Sequence, residues 1–162
     1  MRLWLVRHAL PQVPEGTCYG ALDVAADARA TQEAALALAQ ALPPDVVLHS
    51  SPLQRCARLA AALCALRANL SFTTDSRLRE MDFGTWEGQR WDALGAAALQ
   101  AWTDDFAHHR PGGGESVHGF MARVAQAWDD VPAHGPDRVW ITHAGVIRAA
   151  TLLHAGKVSV TQ

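Results

Sequence analysis

The sequence predicts an α/β fold, a three-layer sandwich in which a mostly parallel sheet carries helices on both faces. Short apolar runs, typical of strands buried on both faces of a sheet, alternate along the chain with longer segments of helical period. This alternation is typical of helices packed against a parallel sheet. Polar residues directly follow several predicted strands, at the sheet edge where ligands bind in folds of this class.

The first predicted elements form a β-α-β-α series. Residues 3–6 are an unbroken apolar run, which predicts a buried strand. A helix over residues 28–42 follows and stops at Pro43-Pro44, because a proline ring cannot continue a helix. A second strand is predicted at residues 45–49. The next helix, residues 52–67, has a proline in its first turn, where the missing N–H is tolerated.

The rest of the chain continues the pattern with longer irregular segments. After a strand predicted at residues 70–74, residues 77–89 show neither period and predict an ordered loop. Helices are predicted at residues 91–108 and 116–131, separated by a Pro-Gly-Gly-Gly segment that cannot hold regular structure. The last strand and helix are predicted at residues 138–142 and 146–154.

Composition predicts one globular domain over residues 1–162, since 49% of the residues are hydrophobic and 19% are charged. The net charge of −2 provides no basic field, so neither nucleic acid nor a membrane is expected as a partner. Three cysteines without a CxxC pair argue against a disulfide framework and favour the cytoplasm. The oligomeric state stays open.

Two histidines and two arginines stand where predicted strands end. His8 follows Arg7 after the first strand, and His143 follows the last strand. One histidine in such a place is usually structural, whereas two at one edge of a sheet favour a function. Arg55 lies in the first turn of a helix that begins at the same edge. Its guanidinium suits phosphate oxygens, although a solvated surface arginine is the simpler alternative.

A loop in the middle of the chain contains both acids and aromatic residues. Residues 78–88 include the carboxylates Glu80, Asp82 and Glu87 together with a phenylalanine and a tryptophan. Loops that carry large aromatic side chains are usually anchored by packing, so this loop can hold one carboxylate over a site. A structural loop with exposed acids agrees equally well with the sequence.

Four motifs, in their order and spacing, resemble the histidine phosphatase superfamily, also called phosphoglycerate mutase-like. The resemblance runs from residue 2 to about residue 150 and implies a phosphoglycerate mutase-like fold. It also implies a phosphomonoester hydrolase that works through a phosphohistidine on a small-molecule phosphate ester, with no metal and no other cofactor. The motifs are RH at residues 7–8, SSPLQR at 50–55, LREMDFGTWEG at 78–88 and THAGVIR at 142–148.

The resemblance assigns a role to each matching residue. His8, Glu80 and His143 would be catalytic, and Arg7, Arg55, His8 and His143 would bind phosphate. His8 would attack phosphorus as a neutral imidazole, while the arginines and His143 hold the phosphoryl oxygens. Glu80 would protonate the leaving alcohol and then activate water, which requires a protonated carboxyl at the start.

The substrate is less narrowly indicated. Cys18-Tyr19-Gly20 followed by Asp23 resembles the branch that contains α-ribazole phosphatase, an enzyme of cobalamin biosynthesis, and implies α-ribazole 5′-phosphate. A general phosphatase for phosphosugars or other small phosphoesters is the alternative. A homologue that binds phosphate without turnover is another, because residues 9–11 lack the small polar groups common in the family, which leaves binding to arginine and to N–H groups near residues 18–20.

Other features are interpreted as structural. The tryptophans are expected to be packing anchors, because no basic patch accompanies them. Four further histidines fit no recurring metal-ligand spacing. Residues 157–162 are either the remnant of a strand with which the family commonly closes or the end of a truncated chain. The tryptophans in question are Trp86, Trp91, Trp102 and Trp128. The four histidines are His108, His109, His118 and His134.

Overall fold

The computed structural model describes residues 1–160 and confirms the three-layer α/β sandwich. The strands are β1 (Leu3–Arg7), β2 (Val46–Ser50), β3 (Phe72–Thr74) and β4 (Asp137–Thr142). The α-helices are α1 (Ala28–Ala41), α2 (Gln54–Leu66), α3 (Ala96–Asp104), α4 (Val117–Asp129) and α5 (Ala144–His154). The sheet is parallel, in the order β1-β4-β2-β3. None of the helices between residues 1 and 160 has the length and apolar character needed to span a bilayer.

Each face of the sheet is buried under helices. Successive side chains of a strand point to opposite faces, so β4 contributes Val139 and Ile141 to one core and Trp140 to the other. The first core also contains α1 and α2, and the second contains α4 and α5. Because helices cover both faces of the sheet, a strand such as β4 buries apolar side chains on both of its faces. This explains why such strands have no polar face.

The chain leaves neighbouring strands toward opposite faces of the sheet. From β1 it leads through residues 8–27 to α1 on one face, and from β4 it passes directly into α5 on the other. A crevice opens at the carboxyl ends of strands whose connections diverge in this way. Side chains that follow β1, β2 and β4 therefore meet at one edge of the sheet.

Several predicted boundaries are wrong for local reasons. The helix predicted at residues 91–108 is a 3-10 turn, Trp91–Ala93, followed by α3, because Gly95 has a φ of 83° that a right-handed helix cannot contain. The Pro-Gly-Gly-Gly segment holds a 3-10 turn, Pro111–Gly113. Residues 157–160 form no strand, and residues 161–162 of the predicted strand remnant lie outside the described residues.

Candidate active site

The carboxyl edge of the sheet forms one cleft of about 580 Å³ that contains four of the five predicted site residues. Arg7, His8, Arg55 and Glu80 all line it. His143 lies directly behind His8, with 5.2 Å between the centroids of the two rings, and is completely buried. The fold thus brings together side chains that are far apart in the sequence. They come from the end of β1, from α2, from the loop that contains Glu80 and from the start of α5.

His8 presents one ring nitrogen for chemistry. Its Nδ1 donates to the carbonyl oxygen of Ala9 at 2.7 Å, which fixes the proton there and leaves the lone pair on Nε2. Burial, reinforced by the positive charges of Arg55 and Arg7 and opposed by the hydrogen bond to Ala9, lowers the pKa of His8 to about 4. The imidazole is therefore neutral near pH 7, as a nucleophile must be.

His143 is fully hydrogen-bonded within the protein. Its Nδ1 accepts from Nε of Arg55 at 3.2 Å, and because arginine can only donate, the proton of the ring is on Nε2. Nε2 donates to Oγ of Ser51 at 2.8 Å. Burial and the charge of Arg55 lower the pKa of His143 to about 2, so this ring is also neutral. The structure places it behind the cleft rather than in the cleft lining.

Arg55 is the second residue of α2 and is completely buried. One terminal nitrogen donates to the carbonyl of Leu22 at 2.9 Å and the other to that of Gly20 at 2.6 Å. With the bond to His143, three of the five N–H groups of a guanidinium are engaged, and each terminal nitrogen keeps one. Arg55 therefore fixes the 20–22 loop and the ring of His143, and two of its N–H groups are not used by these bonds.

Glu80 is held by backbone N–H groups on both carboxyl oxygens. Oε2 accepts from the N–H of Gly145 at 3.0 Å and Oε1 from that of Met81 at 3.1 Å. A carboxyl oxygen has two acceptor positions, so each keeps one for a substrate. The carboxyl group also fills the space where a side chain at position 145 would lie, since a Cβ there would be 2.2 Å from Oε1. A glycine is thus required at the start of α5.

Arg123 of α4 holds the loop that carries Glu80. It donates to the carbonyl oxygens of Arg77 at 2.7 Å and of Arg79 at 2.9 Å. Its position is fixed in turn by an ion pair with Glu115 at 2.8 Å, in which both side chains are mostly buried. The backbone on the N-terminal side of Glu80 is therefore attached to a core helix and cannot drift from the cleft independently.

Glu87 connects the two loops that border the cleft. Its carboxylate accepts from the backbone N–H groups of Ala21 at 2.9 Å, of Leu22, and of Phe83 at 3.0 Å.

The predicted backbone donors near residues 18–20 are only partly available, because the N–H of Cys18 donates to the carbonyl oxygen of Gln89 at 2.7 Å. Cys18 is completely buried, and burial raises the pKa of its thiol to about 12.

Sequence reasoning missed the residues that support the site. Ser51, Arg123 and Glu87 act through hydrogen bonds to groups that are distant along the chain. The one sequence signal was that Ser51 and Glu87 fall inside the SSPLQR and LREMDFGTWEG motifs. Residues 1–160 contain no group of three or more His, Cys, Asp or Glu side chains arranged to hold a metal ion.

Comparison with known proteins places the chain in a family. The model of the histidine phosphatase superfamily (branch 1) matches residues 3–160. A Hydrogenobacter thermophilus protein provisionally named phosphoserine phosphatase 2 is 30% identical over 161 residues, which cover 96% of this chain and 79% of that protein. A glucosyl-3-phosphoglycerate phosphatase of Mycolicibacterium vanbaalenii is 33% identical over 93% of this chain and 72% of its own length.

The fold agrees with that relationship. The crystal structure of phosphoglycerate mutase from Thermus thermophilus superposes with a TM-score of 0.76 at 33% identity, covering 99% of this chain and 88% of the other. The motif order, the shared architecture and the family match over nearly the whole chain all agree. The chain belongs to the histidine phosphatase superfamily, branch 1, whose relatives named above include phosphatases that act on small phosphate esters.

Proposed function

We propose that this protein hydrolyses small phosphate monoesters through a phosphohistidine on His8, without a metal ion. The observation that carries the proposal is the state of His8 within the cleft. One nitrogen is protonated and bonded to Ala9, the other has a lone pair, and the ring is neutral because its pKa is about 4. An arginine and a carboxyl group line the same cleft, which supplies the other parts of a phosphoryl-transfer site.

In the first half-reaction, Nε2 of His8 forms a bond to phosphorus as the bond between phosphorus and the ester oxygen breaks. The electron pair of that bond goes to the leaving oxygen, which takes a proton from the Glu80 carboxyl. The products are the free alcohol, a phosphorylated imidazole and the Glu80 carboxylate. The hydrogen bonds from Gly145 and Met81 keep the carboxyl oriented throughout.

In the second half-reaction, water attacks phosphorus and gives a proton to Glu80. The bond between phosphorus and Nε2 breaks, and its electron pair returns to the ring, so His8 is neutral again and Glu80 is protonated. Inorganic phosphate then leaves. This cycle restores both residues and needs no further reactant.

The phosphoryl oxygens are proposed to lie among Arg7, Arg55 and His143. Arg55 offers one N–H from each terminal nitrogen, an arrangement that fits two oxygens at once. Arg7 is exposed at the cleft and adds a second positive charge. His143 acts as a neutral donor through Nε2–H, which a phosphoryl oxygen takes over from Ser51.

The proposed substrate has one specific candidate and one broader alternative. α-Ribazole 5′-phosphate is the specific candidate, supported by the Cys18-Tyr19-Gly20 segment, in which Tyr19 lines the cleft. A phosphatase for phosphosugars or other small phosphoesters is the alternative, supported by the names of the relatives. The cytoplasm is the proposed location, in agreement with three free cysteine thiols.

The test is hydrolysis of 4-nitrophenyl phosphate and ethyl phosphate with excess chelator. Turnover should survive the chelator and disappear in His8→Ala, and quenching in base should trap a phosphorylated protein that loses its phosphate on acid treatment, as a phosphohistidine does. Glu80→Gln should affect ethyl phosphate more than 4-nitrophenyl phosphate, because an alkoxide leaves only with a proton whereas nitrophenolate leaves unaided. Phosphate binding without turnover in a folded sample would instead favour the non-catalytic homologue.

A further inference from the structure

The cleft that contains His8 continues over a surface of aromatic rings, here called the aromatic wall. It consists of Phe83, Trp91, Trp102 and Phe106, all of which line the cleft and all of which keep part of their surface exposed. Trp91 and Trp102 pack against other rings, as expected of packing anchors, and in addition both line the cleft. Trp86, by contrast, is 8% exposed and outside the cleft lining.

The aromatic wall is held by contacts among its own rings. Trp91 and Trp102 are nearly parallel, with an interplanar angle of 12° and centroids 6.4 Å apart. Phe106 stacks on Trp102 at 5.5 Å, and Phe83 meets Trp102 edge-on at 5.8 Å. A ring surface fixed in this way binds a ligand with little loss of side-chain freedom. It is consequently a preformed surface rather than a collection of loose side chains.

Polar partners for the rest of a substrate are scarce in the same cleft. Beyond the phosphate-site residues, the polar side chains that line it within residues 1–160 are Thr17, Tyr19 and Arg148. Glu80 is the one carboxylate in that lining, and the proposed mechanism uses it. A substrate ammonium group would have no second carboxylate to pair with, and the several hydroxyls of a sugar would meet mostly carbon.

We propose that the aromatic wall binds an aromatic ring on the leaving alcohol, so that the preferred substrates are phosphate monoesters of alcohols with a planar aromatic group. The inference rests on the proposed function, since the phosphoryl group at His8 fixes which part of the substrate reaches the wall. Aromatic faces prefer stacked or edge-on ring partners to aliphatic groups of similar area. The phosphate end is recognised by Arg7 and Arg55, and the opposite end by stacking.

The binding test uses three phosphonates that cannot be hydrolysed: ethylphosphonate, cyclohexylmethylphosphonate and benzylphosphonate. Calorimetry should give benzylphosphonate a Kd about 10- to 100-fold lower than that of ethylphosphonate, and several-fold lower than that of cyclohexylmethylphosphonate. Equal affinity for benzyl and cyclohexylmethyl compounds would overturn the aromatic specificity. Equal affinity for all three would overturn the subsite altogether.

The turnover test uses the corresponding esters, whose leaving alcohols are all primary. Benzyl phosphate should exceed ethyl phosphate in kcat/KM by a similar factor. If no ester is hydrolysed but benzylphosphonate still binds preferentially, the subsite stands and the phosphatase proposal fails. If both esters are hydrolysed equally well and the phosphonates bind equally well, the phosphatase proposal stands and the aromatic subsite is refuted.

Matched variants locate the effect on the wall. Trp102→Leu and, as a second variant in case the first does not fold, Phe106→Leu should each lower the ratio of kcat/KM for benzyl phosphate to that for ethyl phosphate by at least about 5-fold. Trp128→Leu is the control, since Trp128 is also partly buried but packs near His154, away from the cleft. A benzyl preference that survives both wall variants would overturn the assignment.

Discussion

Gly145 leaves no room for a side chain between α5 and the Glu80 carboxyl group. A Cβ at this position would lie 2.2 Å from Oε1 and 3.0 Å from the carboxyl carbon. Non-bonded heavy atoms pack at about 3.5 Å, so in Gly145→Ala the carboxyl group must move by at least about 1 Å. The move also breaks or weakens the 3.0 Å hydrogen bond from the Gly145 N–H to Oε2.

A displacement of this size should reduce kcat far more than stability. Misplacing a reacting group by about 1 Å costs about 100-fold in rate. Losing a hydrogen bond to the protonated Glu80 carboxyl of the proposed mechanism costs about 0.5–1.5 kcal/mol of unfolding free energy, and replacing a helical glycine by alanine returns about 1 kcal/mol. The two contributions nearly cancel, so the protein stays folded.

The assay is release of phosphate from ethyl phosphate, whose alkoxide needs the proton of Glu80, together with urea unfolding. Gly119→Ala is the control, because this glycine also lies in the first turn of a helix and its Cβ would meet only Oγ of Ser116, at 3.3 Å, and the side chain of Glu115, at 3.8 Å. Gly145→Ala should have little further effect in a Glu80→Gln background, since both changes act on one group. A Gly145→Ala enzyme with kcat within 3-fold of the wild type, or full additivity with Glu80→Gln, would refute the reasoning.

Three further predictions follow from the buried polar groups. Because the pKa of His8 is about 4 in the folded protein and about 6.5 in the unfolded chain, the unfolded state binds more protons between these values. The unfolding free energy should therefore fall by about 1–2 kcal/mol from pH 6.5 to pH 5 through His8 alone, as measured by urea unfolding, and the loss of kcat through protonation of His8 should begin only near pH 4. Ser51→Ala leaves Nε2–H of His143 with only the Cys56 sulfur, a weak acceptor at 3.5 Å, and should cost about 1–3 kcal/mol in the same assay, with a reduced kcat. Arg123→Met releases the carbonyl oxygens of the Glu80 loop and should lower kcat for ethyl phosphate by about 10-fold, with KM changed less.

Each of these predictions has its own control. In His8→Ala the unfolding free energy should change less between pH 6.5 and pH 5 than in the wild type. An unchanged slope of unfolding free energy against pH would show that other groups cause the dependence. Ser50→Ala removes only a bond to the neighbouring carbonyl and should cost less than Ser51→Ala; the reverse order would contradict the role of Ser51. Arg29→Met breaks an ion pair whose side chains are 88% and 63% exposed, so activity should not change. Equal effects of Arg123→Met and Arg29→Met would rule out the loop contact.

Local patterns in the sequence determined the order of the elements and the edge at which the site lies. A buried parallel strand must be apolar on both faces, and a helix must repeat with its own period, so both are visible in short windows. Chain direction in a parallel sheet then places His8, Ser51 and His143 at the same edge without further information. The prediction of a helix over residues 91–108 was wrong because it could not foresee the positive φ of Gly95, which depends on the path of the surrounding loop.

Only the tertiary structure decided what each side chain of the site touches. The sequence indicated Arg55 and His143 as phosphate ligands, but not that they are hydrogen-bonded to each other or that Ser51 accepts a hydrogen bond from His143. The aromatic wall likewise exists because separate turns bring Phe83, Trp91 and Phe106 around one cleft. The hydrogen bonds of His143 join residues far apart in the chain. In both places packing, not local propensity, determines the distances between the side chains.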